Sequence, residues 1–502
     1  MKLVIEGIKN MIKENKKFFL SIGVSFLIIA IGILCKWYNL SLVGILIIYI
    51  ECLRVLFKRF RENIFIILFY FVIFVFILSR PTVAVLKGNK WAYFSNASIN
   101  WSIVSIALTL IFLILPVFIK MAVLKKENGD KKRTLRLFKS WKKIIRRINE
   151  CITNNAKTIR KVLFGILIVS FVAGVFCEID KLMFMHGKNY EAYYSLYVSR
   201  VPSIISYTST ILFPILVIYL LMKPERKWCY FVLGAYITLQ IPMLIIGERG
   251  SFVRAVIFSI LYIFSTTNVK VLKQHLTLKV KVSAIIIAFL GIVLLGSYNY
   301  IRSNKEVESY NPLELFVDFF YKQGTTYDTL NKGYTYQYLI PGRRTKNYTF
   351  GLIYDSMRNN IVAQKVFNVK PLSEKNSLEM ALKSNSLSHS LSYAVLGDDY
   401  LDGHGIGSSY ILETYLDYGY LGIIVYSFIL GCYLMIIPNL LKRIGLLSIF
   451  ALCSIRYLYF VPRAEALSFV KFLFRINFWV SMLVFIMIVI IVSVFNKKKR
   501  IA

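Results

Sequence analysis

The chain has 502 residues, 57% of them hydrophobic and 15% aromatic, with a mean hydropathy of +0.61. Soluble domains are about 45–50% apolar, so this composition excludes an ordinary soluble enzyme and predicts an all-α integral membrane protein. A formal charge of +36 in a soluble chain would point to nucleic acid, but here Lys and Arg cluster at the ends of apolar runs and no nucleic-acid motif accompanies them.

Five lysines between Lys2 and Lys17 precede the first long apolar run, and no small-residue cleavage site follows it, so an uncleaved first helix is expected at about 18–35. Further spans are expected at about 40–57, 64–79 and 102–124, with Lys58, Arg59 and Arg61 holding the second connection inside. Residues 125–161 hold fourteen Lys or Arg against three Asp or Glu, with Leu135, Phe138, Trp141 and Ile145 at helical spacing. That pattern predicts an amphipathic helix on the anionic cytoplasmic leaflet. Spans five to nine are expected at about 161–178, 204–222, 228–247, 250–267 and 280–300. A polar stretch, 301–405, follows; its twelve basic and eleven acidic residues nearly balance, as suits an extracytoplasmic loop. Spans at about 411–437, 445–461 and 476–495 complete the count, and the terminal KKKR lies inside. The expected architecture is therefore about twelve transmembrane helices, both termini cytoplasmic, divided into 1–300, the loop 301–405, and 406–502. The seven Cys and four His show no metal-ligand spacing, and no cofactor is expected.

Chemistry concentrates at the outer ends. In GDDYLDGHGIGSSYILETYLDYGYLG, Gly403, Gly405 and Gly407 alternate, which lets backbone bend closely round a ligand. Glu413 and Asp417 lie one helical turn apart at the start of an apolar run, and Gly419 and Gly422 invite a close-packed backbone. GERGSFVR carries Glu248, Arg249 and Arg254 at the seventh–eighth connection; the two arginines share a target only if Arg249 sits in the turn before the helix. Arg456 lies in the eleventh span, Arg463 and Glu465 follow Pro462, and Arg302, Arg343, Arg344 and Arg358 belong to the large loop. Arginines converging on one outer surface suit a diphosphate, because a guanidinium bonds phosphate oxygens bidentately.

GHGIGSSYILETYLDYGYLG resembles the signature of bacterial O-antigen and capsule repeat-unit polymerases of the Wzy type. GERGSFVR resembles the arginine-bearing helix start of that superfamily, and PRAE at 462–465 its late Pro-Arg element; the motifs occur in the family's order. The related O-antigen ligases carry a His-Asn pair where Ser408 and Ser409 stand here, which argues against a ligase and removes the expected catalytic base. The arginine-x15-glycine pattern of some polymerases is missing from the large loop.

The resemblance implies a metal-independent glycosyltransferase of the cell membrane. It would polymerise undecaprenyl-diphosphate-linked oligosaccharide into O-antigen, capsule or exopolysaccharide at the outer membrane face. A flippase and a chain-length regulator are its implied partners. Arg249, Arg254, Arg302 and Arg463 would stabilise the departing diphosphate. His404, Glu413 and Asp402 are the candidate bases, with Glu413 favoured because a helix fixes its direction. Gly403, Gly405, Gly407, Arg358 and Arg456 would line the substrate. A lipid-linked oligosaccharide flippase and a ligase-like transferase are the alternatives; no internal repeat supports the former.

Overall fold

The computed structural model describes residues 15–124, 152–188, 193, 196–267, 282–283, 286, 289–297, 311–373, 376–442 and 444–501. Most of the basic linker, much of the expected ninth span and Arg302 lie outside these residues. Among the described residues ten helices are long and apolar enough to cross a membrane, and no strand occurs. The first eight are α1 (Lys16–Leu34), α2 (Tyr38–Phe57), α3 (Phe60–Leu86), α4 (Asn96–Met121), α5 (Ala156–Met185), α6 (Ser203–Leu221), α7 (Arg226–Ile246) and α8 (Arg249–Thr266). The described part of the polar stretch is itself largely helical and includes α9 (Pro312–Gln323) and α10 (Thr326–Thr335). After it come α11 (Tyr410–Leu440), α12 (Leu446–Leu458) and α13 (Ile476–Ile501). Where an eleventh span is expected, α12 has only 13 residues, about 20 Å of helix against a hydrocarbon core of about 30 Å.

The chain divides into two compact units built from interleaved segments. The first holds α1 to α4, the helices of the polar stretch, α11 as far as Pro438, and residues 459–468. Small residues let α1 and α2 touch: a Cβ at Gly32 would lie 2.3 Å from the Ser41 hydroxyl, and one at Gly44 3.0 Å from the Ser25 carbonyl. α3 runs seven residues past the expected end of its span and includes a π turn at Phe74–Leu78. Such wide turns re-aim the residues beyond them, here Ser79 and Arg80. α4 buries Ser98, Ser102, Ser105 and Thr109, one polar face at helical spacing that hydropathy alone does not reveal.

α11 is not a single rod. Gly419 adopts φ 63°, ψ −155°, a conformation essentially confined to glycine. Sixteen residues of straight helix would separate Tyr410 from Tyr426 by about 24 Å, yet their rings are 5.0 Å apart. The first turns therefore fold back on the helix, and 420–440 is left as the part long enough to span. The backbone that packs on Gly422 is the chain's own: a Cβ there would lie 2.2 Å from the Thr414 carbonyl oxygen. The close approach to another helix occurs instead at Gly431, where a Cβ would lie 2.3 Å from the Leu113 carbonyl of α4.

The second unit holds α5 to α8, residues 439–458 with α12, and α13. Its core is α6, in which every residue from Leu212 to Leu221 is buried. The Tyr262 hydroxyl of α8 donates to the Leu220 carbonyl at 2.7 Å and fixes the two helices in register.

Candidate functional site

In the second unit Gly247, at φ 113°, ends α7 in a left-handed cap, and the Gly247 and Glu248 amides return to the Met243 carbonyl at 3.1 and 2.9 Å. α8 therefore starts immediately, with Arg249 as its first residue rather than in a preceding turn. One turn on, Arg254 donates to Glu248 Oε1 at 3.0 Å and to Ser251 Oγ at 2.8 Å. Its guanidinium lies back over the helix start, where a Cβ on Gly250 would be 3.0 Å from Arg254 Nη1. The same guanidinium sits 5.1 Å from the Tyr457 ring, and that of Arg456 sits 5.4 Å from it and 4.9 Å from Phe213. Arg254 and Arg456 thus converge on one aromatic ring. Arg456 Nε is buried without a hydrogen-bond partner, and among the described residues no carboxylate lies within ion-pair distance of Arg456. A half-buried guanidinium with an open Nε–H can bond an anion there.

In the first unit the glycine loop meets α11. Gly403 and Gly407 need their glycine, at φ 103° and 77°, whereas Gly405 makes only ordinary contact with Ser392. Asp402 and His404 are exposed on this loop. The imidazole Nδ1 of His404 lies 3.2 Å from the Asp399 carbonyl, an acceptor, so Nδ1 carries the proton and the lone pair falls on Nε2. Glu413 is in a different situation: it is 0% exposed. Its Oε1 accepts from Ser408 Oγ at 2.6 Å and its Oε2 from the Ala466 amide at 2.7 Å. Tyr426 donates to the Ala466 carbonyl and Ser386 to Glu465 Oε1 at 2.6 Å, so the segment after Pro462 is tied at three points. Asp417 accepts the Tyr348 and Thr349 amides at 3.2 and 2.6 Å, which holds the polar stretch to α11.

Arg463 donates to Gln323 Oε1 at 2.9 Å and lies 5.6 Å from the Phe76 ring in the π turn of α3. Arg358 donates to the Lys370 carbonyl at 3.2 Å, a local loop contact. The structure thus brings Arg254 to Arg456 in one unit, and Glu413 to the segment bearing Arg463 in the other.

One polar centre escaped the sequence reading. Arg80 of α3 pairs with Asp328 of α10 at 3.0 Å and lies 4.5 Å from the Tyr321 ring, while Tyr93 donates to Asp328 at 2.7 Å. A Cβ on Gly324 would fall 2.5 Å from Arg80, so only glycine permits this approach. Burial raises the Asp328 carboxyl against the lowering effects of Tyr93 and Arg80. Burial first, and then the bond to Asp328, push the Tyr93 phenol up to about 12. The available signal was an arginine one residue past the expected end of a long apolar run.

The family model described as O-antigen polysaccharide polymerase Wzy matches residues 17–499 of the chain. No curated protein and no solved structure matches it.

Proposed function

The chain belongs to the Wzy family of O-antigen polysaccharide polymerases, and from that premise we propose a division of labour among its residues. As a family member it is a multi-pass membrane enzyme that polymerises lipid-linked repeat units into polysaccharide. The proposed donor is a glycan on undecaprenyl diphosphate, handled at the outer face of the cytoplasmic membrane. The bond between the anomeric carbon and the diphosphate oxygen breaks, and its electron pair leaves with the lipid diphosphate. A hydroxyl of the acceptor repeat unit bonds to that carbon and gives up its proton.

The diphosphate role falls to Arg254 and Arg456, with Arg249 at the same helix start. The observation that carries this is the meeting of Arg254 and Arg456 at Tyr457, with Arg456 Nε left without a hydrogen-bond partner. Guanidinium groups fixed in advance stabilise charge as it develops on the leaving group. For the base, the hydrogen bond that leaves a lone pair on Nε2 favours His404 over Asp402, which is exposed on the same loop. Both oxygens of Glu413 are engaged by buried donors, so we assign it a positioning role: it holds the segment bearing Arg463 against the glycine loop. This differs from the sequence preference for Glu413 as base, because helix direction says nothing about which donors close over the carboxylate.

The test is deletion of the gene followed by analysis of the surface glycan. A polymerase leaves single repeat units at the surface; disappearance of all repeat units would favour a flippase instead.

A further inference from the structure

The reaction above leaves unused a cavity of about 620 Å³ in the first unit. One wall is the α1–α2 turn with Lys36, Trp37 and Asn39, and the other is the α3–α4 connection with Lys90 and Trp91. The second wall lies beside α10, because Tyr93 bonds Asp328 and Ser98 bonds Asn331. The volume is that of a ligand cleft rather than an ion site.

Its chemistry is specific. Among the described residues no acidic side chain lines it, while Lys36 and Lys90 do. Lysines on short connections of an outer face run against the usual depletion there. Lys36 also holds a left-handed φ of 59° at the end of α1, a position where glycine is the unstrained choice. Trp37 is 66% exposed, and the Trp91 indole is fixed by donating to Asn39 Oδ1 at 2.7 Å. The hydroxyl of Tyr38, another lining residue, is buried without a hydrogen-bond partner. An exposed aromatic plane stacks on a sugar ring, ammonium groups pair with its carboxylate or phosphate, and amide and phenol groups bond its hydroxyls.

We propose that this cavity is a glycan subsite holding an acidic sugar of the repeat unit or of the growing chain. It rests on the polymerase reading and adds a charge preference and a second contact point for substrate.

The test uses the full-length protein in nanodiscs of neutral phosphatidylcholine, with tryptophan fluorescence as readout. Trigalacturonate and sialyllactose are the acidic probes, and maltotriose is the neutral control. Saturable responses to at least one acidic probe are expected, and none to maltotriose. Lys36→Gln/Lys90→Gln should weaken that binding by about tenfold or more, since each charge-assisted contact outweighs a neutral one. Trp37→Ala should remove the response. In cells the double variant should shorten the glycan ladder. Silence from both acidic probes, an equal response to maltotriose, or an unshortened ladder would overturn the proposal. So would a response to added phosphatidylglycerol that trigalacturonate does not compete away, which would mark a lipid headgroup site. The titration needs no catalysis, so it is independent of gene deletion, which tests the polymerase reading by itself.

Discussion

Replacing Glu413 separates positioning from proton transfer. Glu413→Ala leaves the Ser408 hydroxyl and the Ala466 amide without their acceptor inside a sealed site. Each buried donor so stranded costs about 1–3 kcal/mol, roughly 2–6 kcal/mol for the two before any cavity term. Glu413→Gln keeps the shape: its carbonyl can accept from Ala466 and its amide can donate to Ser408, so the loss should stay within about 1.5 kcal/mol. Chain-length ladders from membranes holding equal protein, together with thermal melting of the purified protein, measure both quantities. The alanine variant should melt lower and polymerise poorly, while the glutamine variant should melt near wild type and polymerise. A glutamine variant that is stable yet gives no polymer would refute the positioning role and restore Glu413 as the acid–base group.

Arg456→Ala should abolish polymerisation while the protein still inserts, and Arg456→Lys should recover only part of it, because an ammonium lacks the planar fork; full-length ladders from either would remove Arg456 from the diphosphate role. The Lys346 ammonium donates to the Ala381 carbonyl and to Ser390 Oγ, both at 3.0 Å, and burial lowers its pKa from 10.5 to about 8, partly offset by Asp355. Between about pH 8 and 10.5 the unfolded chain binds this proton and the folded chain does not, so stability should rise with pH across that window. Lys346→Met should flatten the rise in melting temperature, and an unchanged slope would show that Lys346 does not titrate there.

Much of the fold was legible in one dimension because a membrane turns composition into structure. Twenty apolar residues in lipid must close their own hydrogen bonds, so runs such as Tyr38–Phe57 declare themselves as helices. The two arginines of GERGSFVR and the glycines of the loop were equally visible, since a charge beside an apolar run and φ-permissive residues in series are local signals. What stayed hidden depended on partners distant in sequence. Arg80 lies just past an expected span, and nothing local in the sequence points to its partner Asp328. Gly419 looked like part of a helix–helix contact, and only its dihedral angles show that it folds α11 back on itself. Whether Glu413 is a base or a clamp turns on an amide 53 residues away, and hydrophobic periodicity carries no information about that distance. Local patterning determined the helices and marked the reactive loops; tertiary packing decided which charges meet and which are sealed, because desolvation and hydrogen-bond satisfaction exist only once remote segments are in contact.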